Sequence, residues 1–100
     1  MKLTITHENE GVKVALSGRL DTAAAQELAP QMEQLADDAD KHIILDCREL
    51  EFISSLGLRL LLSLRKSSIA KGGSITIIHC TSEVKQIFVI TGFSSLFNFV

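Results

Sequence analysis

Leu45-Asp46-Cys47-Arg48-Glu49-Leu50-Glu51-Phe52-Ile53-Ser54-Ser55-Leu56-Gly57-Leu58 is the stretch around which this chain is organised. An apolar run ends in charged residues, and two serines then stand directly before a leucine-dense segment of helical character. Serine is a favoured N-cap, because its hydroxyl accepts a hydrogen bond from an amide that the first helical turn leaves without a partner. The same turn carries partial positive charge and so favours a phosphoryl group. A serine here is either a plain cap or a place where added charge changes what the surface binds.

Toward the N-terminus, His42-Ile43-Ile44-Leu45-Asp46-Cys47 is a continuous apolar run, as expected of an inner parallel strand. Toward the C-terminus, 56–70 reads as a helix ended by Lys71-Gly72-Gly73. Leu60, Leu61 and Leu64 make one stripe, and Leu58, Leu62 and Ile69 a second. So wide an apolar surface predicts a helix largely covered by protein.

Further out, Leu3, Ile5 and His7 alternate with polar residues, as do Val12, Val14 and Leu16 beyond Asn9-Glu10-Gly11. This pattern predicts an antiparallel hairpin. Asp21 or Thr22 can cap a helix over 23–36, in which Ala24, Leu28, Met32, Leu35 and Ala36 share a face and Pro30 imposes a bend. Asp37-Asp38-Ala39-Asp40-Lys41 is a polar connector with no second cluster of ligands to make it a metal site. Ser74-Ile75-Thr76-Ile77-Ile78 is the next strand. Thr81-Ser82-Glu83 opens a helix that turns Val84, Ile87, Phe88 and Thr91 inward and stops at Gly92, and Leu96-Phe97-Asn98-Phe99-Val100 is a last strand.

That order predicts an α/β fold with a mixed sheet of four to five strands, an antiparallel hairpin followed by parallel neighbours. Right-handed crossovers that all move one way place the helices on one face. One hundred residues suffice for a single domain, 1–100. A net charge of −2 with no basic run argues against nucleic acid. No apolar stretch reaches the roughly 20 residues that insertion into a membrane needs, and the N-terminus lacks the apolar core of a signal peptide. Cys47 and Cys80 lie far apart with no Cys-x-x-Cys spacing, which suits two small buried residues in a reducing cytosol.

In open α/β sheets functional groups gather at the carboxyl ends of the parallel strands. Asp21, the 46–55 loop and Cys80-Thr81 all arrive there, Asp46 either as one of these groups or as the end of its strand. Enzyme readings find little to stand on. His7, His42 and His79 fall on three strands, no serine sits in a Gly-x-Ser-x-Gly elbow, and Gly72-Gly73 follows a helix where a phosphate loop would precede one. A small phosphocarrier needs a His or Cys nucleophile at a helix start, and Cys80-Thr81 is the nearest approach. No catalytic activity, cofactor or metal is therefore expected.

Phe52-Ile53-Ser54-Ser55-Leu56-Gly57-Leu58-Arg59-Leu60-Leu61 resembles the signature segment of STAS-domain anti-sigma factor antagonists. Leu16-Ser17-Gly18-Arg19-Leu20-Asp21-Thr22 resembles a second segment of that family, and the match in order and spacing runs through nearly the whole chain. The resemblance implies the STAS fold and a serine before the helix that is phosphorylated by a partner, both kinase and anti-sigma factor. Ser55 takes the acceptor position, with Ser54 the alternative, and Gly57 and Leu58 take the glycine and the apolar position after it. The family's commonest pattern has an aspartate before the acceptor and a small residue after it; this chain has Ser54 and Leu56. By resemblance Asp21 also helps to orient the acceptor or the kinase's nucleotide–metal site.

The function implied is that of a cytoplasmic anti-sigma factor antagonist, monomeric when free. It would bind an anti-sigma serine kinase through Asp21, Ser54, Leu56, Gly57, Leu58 and Arg59, and a serine phosphatase would reset it. The alternative keeps the fold without the switch, as a STAS subunit docking in a membrane-transport or signalling assembly.

Overall fold

The computed structural model of the chain describes residues 1–9, 11–37 and 40–100. The expected turn at Asn9-Glu10-Gly11 and the connector through Asp38-Ala39 thus fall partly on Glu10, Asp38 and Ala39, outside the described residues. Strands β1 (Lys2–Glu8) and β2 (Gly11–Leu20) pair antiparallel, with Leu3 opposite Leu16 and Ile5 opposite Val14. Strands β3 (His42–Ile53), β4 (Ser74–Ile78) and β5 (Asn98–Phe99) add in parallel, so the sheet order is β1-β2-β3-β4-β5. Helices α1 (Thr22–Asp37), α2 (Ser55–Ala70) and α3 (Ser82–Ile90) make the crossovers.

Register decides where the core sits. Val12, Ile43 and Ile75 stand in one cross-strand row, and Val14, Leu45, Ile77 and Phe99 in the next. Successive strand residues point to opposite faces, so these rows define one face of the sheet. They form one cluster with Ala24, Leu28, Met32 and Leu35 of α1, Leu58, Leu61 and Leu64 of α2, and Val84 and Phe88 of α3. The opposite parity, Thr4, Lys13, Ala15, Ile44, Asp46, Thr76 and Ile78, is exposed or half-buried. All three helices of the described residues therefore cover the same face. Fully buried Phe88 closes the far end, edge-on to Phe97 at 5.6 Å and to Phe99 at 5.2 Å between ring centroids.

Four local expectations are corrected. Strand β3 does not stop at Cys47 but continues to Ile53, with Asp46 in its middle, so the expected 46–55 loop is strand. Ala15 pairs with Asp46 but Ser17 with Glu49, and Gly18 pairs with Leu50 but Arg19 with Phe52, so β3 takes up an extra residue twice. At the C-terminus a 3₁₀ turn, Ser94–Leu96, precedes a β5 of only two residues, 98–99. Thr91 does not face inward: it is exposed, and its hydroxyl donates to the carbonyls of Ile87 (2.7 Å) and Phe88 (3.2 Å) at the end of α3. Finally, Ile69 is 59% exposed and Leu62 half-buried, so of the second stripe on α2 only Leu58 is core. Pro30 lies within a continuous α1 and is exposed, as is Gln26, so water can reach the Gln26 carbonyl that Pro30 leaves without a donor.

Candidate functional site

The parallel neighbours β2 and β3 end opposite each other at Leu20 and Ile53. The Ser54 amide donates to the Leu20 carbonyl at 2.8 Å, which brings the start of α2 beside Asp21 at the start of α1. Asp21 Oδ1 accepts from the Ala24 amide at 2.9 Å, so of the two expected caps Asp21 is the one used for α1.

The two serines separate in role. Ser54 has extended backbone (φ −85°, ψ 171°), and its Oγ accepts from the Gly57 amide at 3.2 Å, which makes it the N-cap of α2. Ser55 is the first helical residue. It is exposed, and its hydroxyl makes no hydrogen bond among the described residues. The Ser54 oxygen is already engaged with the Gly57 amide, whereas Ser55 Oγ can react without breaking any hydrogen bond among the described residues.

The residues around them divide by burial. Leu56 is half-buried against the core and Arg59 is exposed. Gly57 is buried and Leu58 only 1% exposed. A Cβ on Gly57 would stand 2.8 Å from Leu20 Cγ and 3.0 Å from Ile53 Cγ1, so glycine here lets α2 settle onto the ends of β2 and β3. Gly57 and Leu58 thus shape the turn from beneath instead of offering side chains to a partner. One neighbour was not foreseen: the Arg19 guanidinium lies over the Phe52 ring, 4.5 Å from its centroid. Only the second bulge of β3 sets Arg19 opposite Phe52, and an alternation pattern carries no sign of that shift.

Other groups at this end of the sheet stay apart from the serines. Asp46 Oδ1 accepts from the Arg48 amide at 3.1 Å and Oδ2 stands 3.8 Å from Lys13 Nζ, so Asp46 belongs to the first bulge. A cleft of about 450 Å³ is lined by Ser17, Gly18, Glu49, Glu51 and Thr81 among others, but by neither Ser54 nor Ser55. Thr81 caps α3 by accepting from the Val84 amide at 3.3 Å. Burial, reinforced by the nearby charges of Cys80 and Asp46, pushes the Cys47 thiol up to about 12. Burial also raises Cys80, partly offset by Lys85. Burial thus works against either thiol as a nucleophile. Among the described residues no helix is long and apolar enough to cross a membrane, and no group of three or more His, Cys, Asp or Glu could hold a metal ion.

Comparison with known proteins places this geometry in company. Residues 3–100 match the family model described as STAS domain. A relative from Bordetella bronchiseptica, BtrV, named as a candidate anti-sigma factor antagonist, is 30% identical over 97% of this chain and 84% of its own length. Among solved structures, the unphosphorylated form of the anti-sigma factor antagonist SpoIIAA superposes with a TM-score of 0.80 at 18% identity, covering 99% of this chain and 88% of that one. The phosphorylated form of SpoIIAA, a Bacillus cell fate determinant, superposes with a TM-score of 0.74 at 19% identity, covering 99% and 91%. These structures share the fold.

Proposed function

This chain belongs to the STAS domain family, and we propose that it acts, as a single domain over residues 1–100, as an anti-sigma factor antagonist switched by phosphorylation of Ser55. The observation that carries the reading is the division of labour between the serines: Ser54 holds the helix, and Ser55 stands exposed with its hydroxyl unused. The docking surface is Ser55 with Asp21, Ser54, Leu56 and Arg59 around it, supported from below by Gly57 and Leu58. Supporting it further, one fold relative has been solved both with and without phosphate.

In the unmodified state this surface binds a cytoplasmic anti-sigma factor that is also a serine kinase, and the sigma factor is released to the transcription machinery. The kinase transfers the γ-phosphoryl group of ATP to Ser55 Oγ: the new O–P bond forms as the bond to ADP breaks, and the hydroxyl proton passes to a base of the kinase. A serine phosphatase hydrolyses the ester and restores the binding form.

The energetics suit a switch without internal motion. Phosphate adds about −1.5 to −2 charges at pH 7. The N-terminus of α2 stabilises that charge by only about 0.3–2 kcal/mol, so the fold is not disturbed. A partner covering the site would instead have to desolvate a dianion, at a cost of several kcal/mol. Roughly 5.5 kcal/mol is enough to take a population from 99:1 to 1:99.

Two measurements test this. Mass spectrometry of the protein from growing cells should find phosphate on the peptide containing Ser54 and Ser55, lost in Ser55→Ala and kept in Ser54→Ala. Titration calorimetry with the cognate anti-sigma kinase should show that Ser55→Ala binds and Ser55→Asp does not. Equal affinity of wild type and Ser55→Asp would overturn the proposal.

A further inference from the structure

We propose that Arg59 is the internal counter-ion of phosphorylated Ser55, so that modification adds negative charge to the docking surface and at the same time withdraws a cation from it. The inference rests on the reading of Ser55 given above and concerns what happens after the phosphate arrives.

Ser55 is the first residue of α2 and Arg59 lies four residues on, so the two are neighbours on one helix face. Both are exposed. Side chains on a helix tilt toward its N-terminus, which carries the Arg59 guanidinium back over the turn that holds Ser55. An anion placed N-terminal to its cation at this spacing is the favoured orientation. Arginine rather than lysine suits the role, because its planar fork matches two phosphate oxygens at once.

Arg59 is also free to be recruited. It makes no hydrogen bond or ion pair among the described residues. Helix α2 contains no carboxylate that would compete along its own length, only the further cations Arg65 and Lys66. The elements that meet at or pack against this turn also carry Asp21 at the start of α1, Glu27 and Glu33 further along α1, Glu51 near the end of β3, and Arg19 at the end of β2. One Asp21 oxygen is taken by the Ala24 amide, and Arg19 rests on the Phe52 ring. Arg59 is thus the cation at helical pairing distance from the acceptor with no other engagement. Before modification it offers a partner a charge-assisted contact beside Leu56; afterwards the phosphate holds it.

The test uses the whole protein with phosphoserine genetically encoded at position 55, so no kinase is required. Phosphorus NMR follows the phosphate through its second ionisation, ordinarily near pH 6. Wild type should titrate roughly 0.2–0.4 of a pH unit below Arg59→Gln, the size of an exposed helical pair. Arg59→Lys should recover part of the difference, and 1 M salt should erase most of it. Asp21, Glu27, Glu33, Glu51 and Arg19 are present in every variant and cancel. Without phosphate, wild type and Arg59→Gln should unfold at the same urea concentration. Superimposable titrations of wild type and Arg59→Gln at low salt would overturn the inference. The two proposals fail separately: absence of phosphate in cells sinks the switch and leaves this ion pair standing, and flat titrations do the reverse.

Discussion

Leu20 and Gly57 meet so closely that any β-carbon on Gly57 would fall 2.8 Å from Leu20 Cγ, a branch atom deep in the core and unable to swing aside. The contact seats the first turn of α2 on the end of β2, and with it the direction in which Ser55 faces. Gly57→Ala sets two effects against each other. Alanine is the better helix former by about 1 kcal/mol, while overpacking a fixed core costs about 1–3 kcal/mol. A net loss of about 1 kcal/mol is expected, read as a melting temperature lower by roughly 4–8 °C. A rise in melting temperature would show that the turn has room.

The two serines should respond differently to the same truncation. Ser54→Ala removes the acceptor for the Gly57 amide and is expected to cost about 0.5–2 kcal/mol in urea unfolding. Ser55→Ala removes a hydroxyl that bonds to nothing among the described residues, so stability should stay within about 0.5 kcal/mol of wild type. Equal losses would mean that Ser55 shares the capping, and the assignment of its hydroxyl as spare would fail.

What the chain shows in advance, and what it hides, has a physical pattern. Val12, Val14 and Leu16 alternate cleanly because β2 pairs in regular register over that span, and the hairpin follows directly. The end of β3 is hidden because its buried residues, Cys47, Leu50 and Ile53, are spaced by three as each bulge takes up one residue. A strand with two bulges fits no period-2 template, and Arg48, Glu49 and Glu51 make it look like a loop. The junction is legible as two adjacent serines before a helix. Which of them caps depends on one hydrogen bond, and composition at that junction is the same for both. Ile69 was overestimated because hydrophobicity alone does not say which side of an apolar helix a neighbour covers.

Alkali should find a weak point at Cys47. Its thiol ionises near 9 when unfolded and is pushed up to about 12 by burial, so between those values the unfolded chain holds fewer protons than the native one. Stability is therefore complete below pH 9 and falls as pH rises from there toward 12, at up to about 1.4 kcal/mol per pH unit. Cys47→Ala gives up some packing at neutral pH but should show a flatter decline above pH 9. Parallel declines for the two proteins would assign the alkaline loss to other groups.

Phe88 offers a test of whether the two ends of the molecule are separable. Its ring is fully buried and meets Phe97 and Phe99 edge-on, so it joins α3 to the two-residue β5. Phe88→Ala should cost about 3–5 kcal/mol from the cavity alone. Against a usual total of 5–15 kcal/mol for a domain, that leaves a protein near its unfolding threshold. Phe88→Leu keeps more of the volume and should stay folded. The serine turn is held by Leu20, Ile53, Ser54 and Gly57, none of which belongs to α3 or β5. In Phe88→Leu, the Gly57 amide resonance, which reports the Ser54 cap, should therefore keep its position while resonances of Phe97 and Phe99 move. A shifted Gly57 amide would show that packing at the C-terminal edge reaches the turn that holds Ser54 and Ser55.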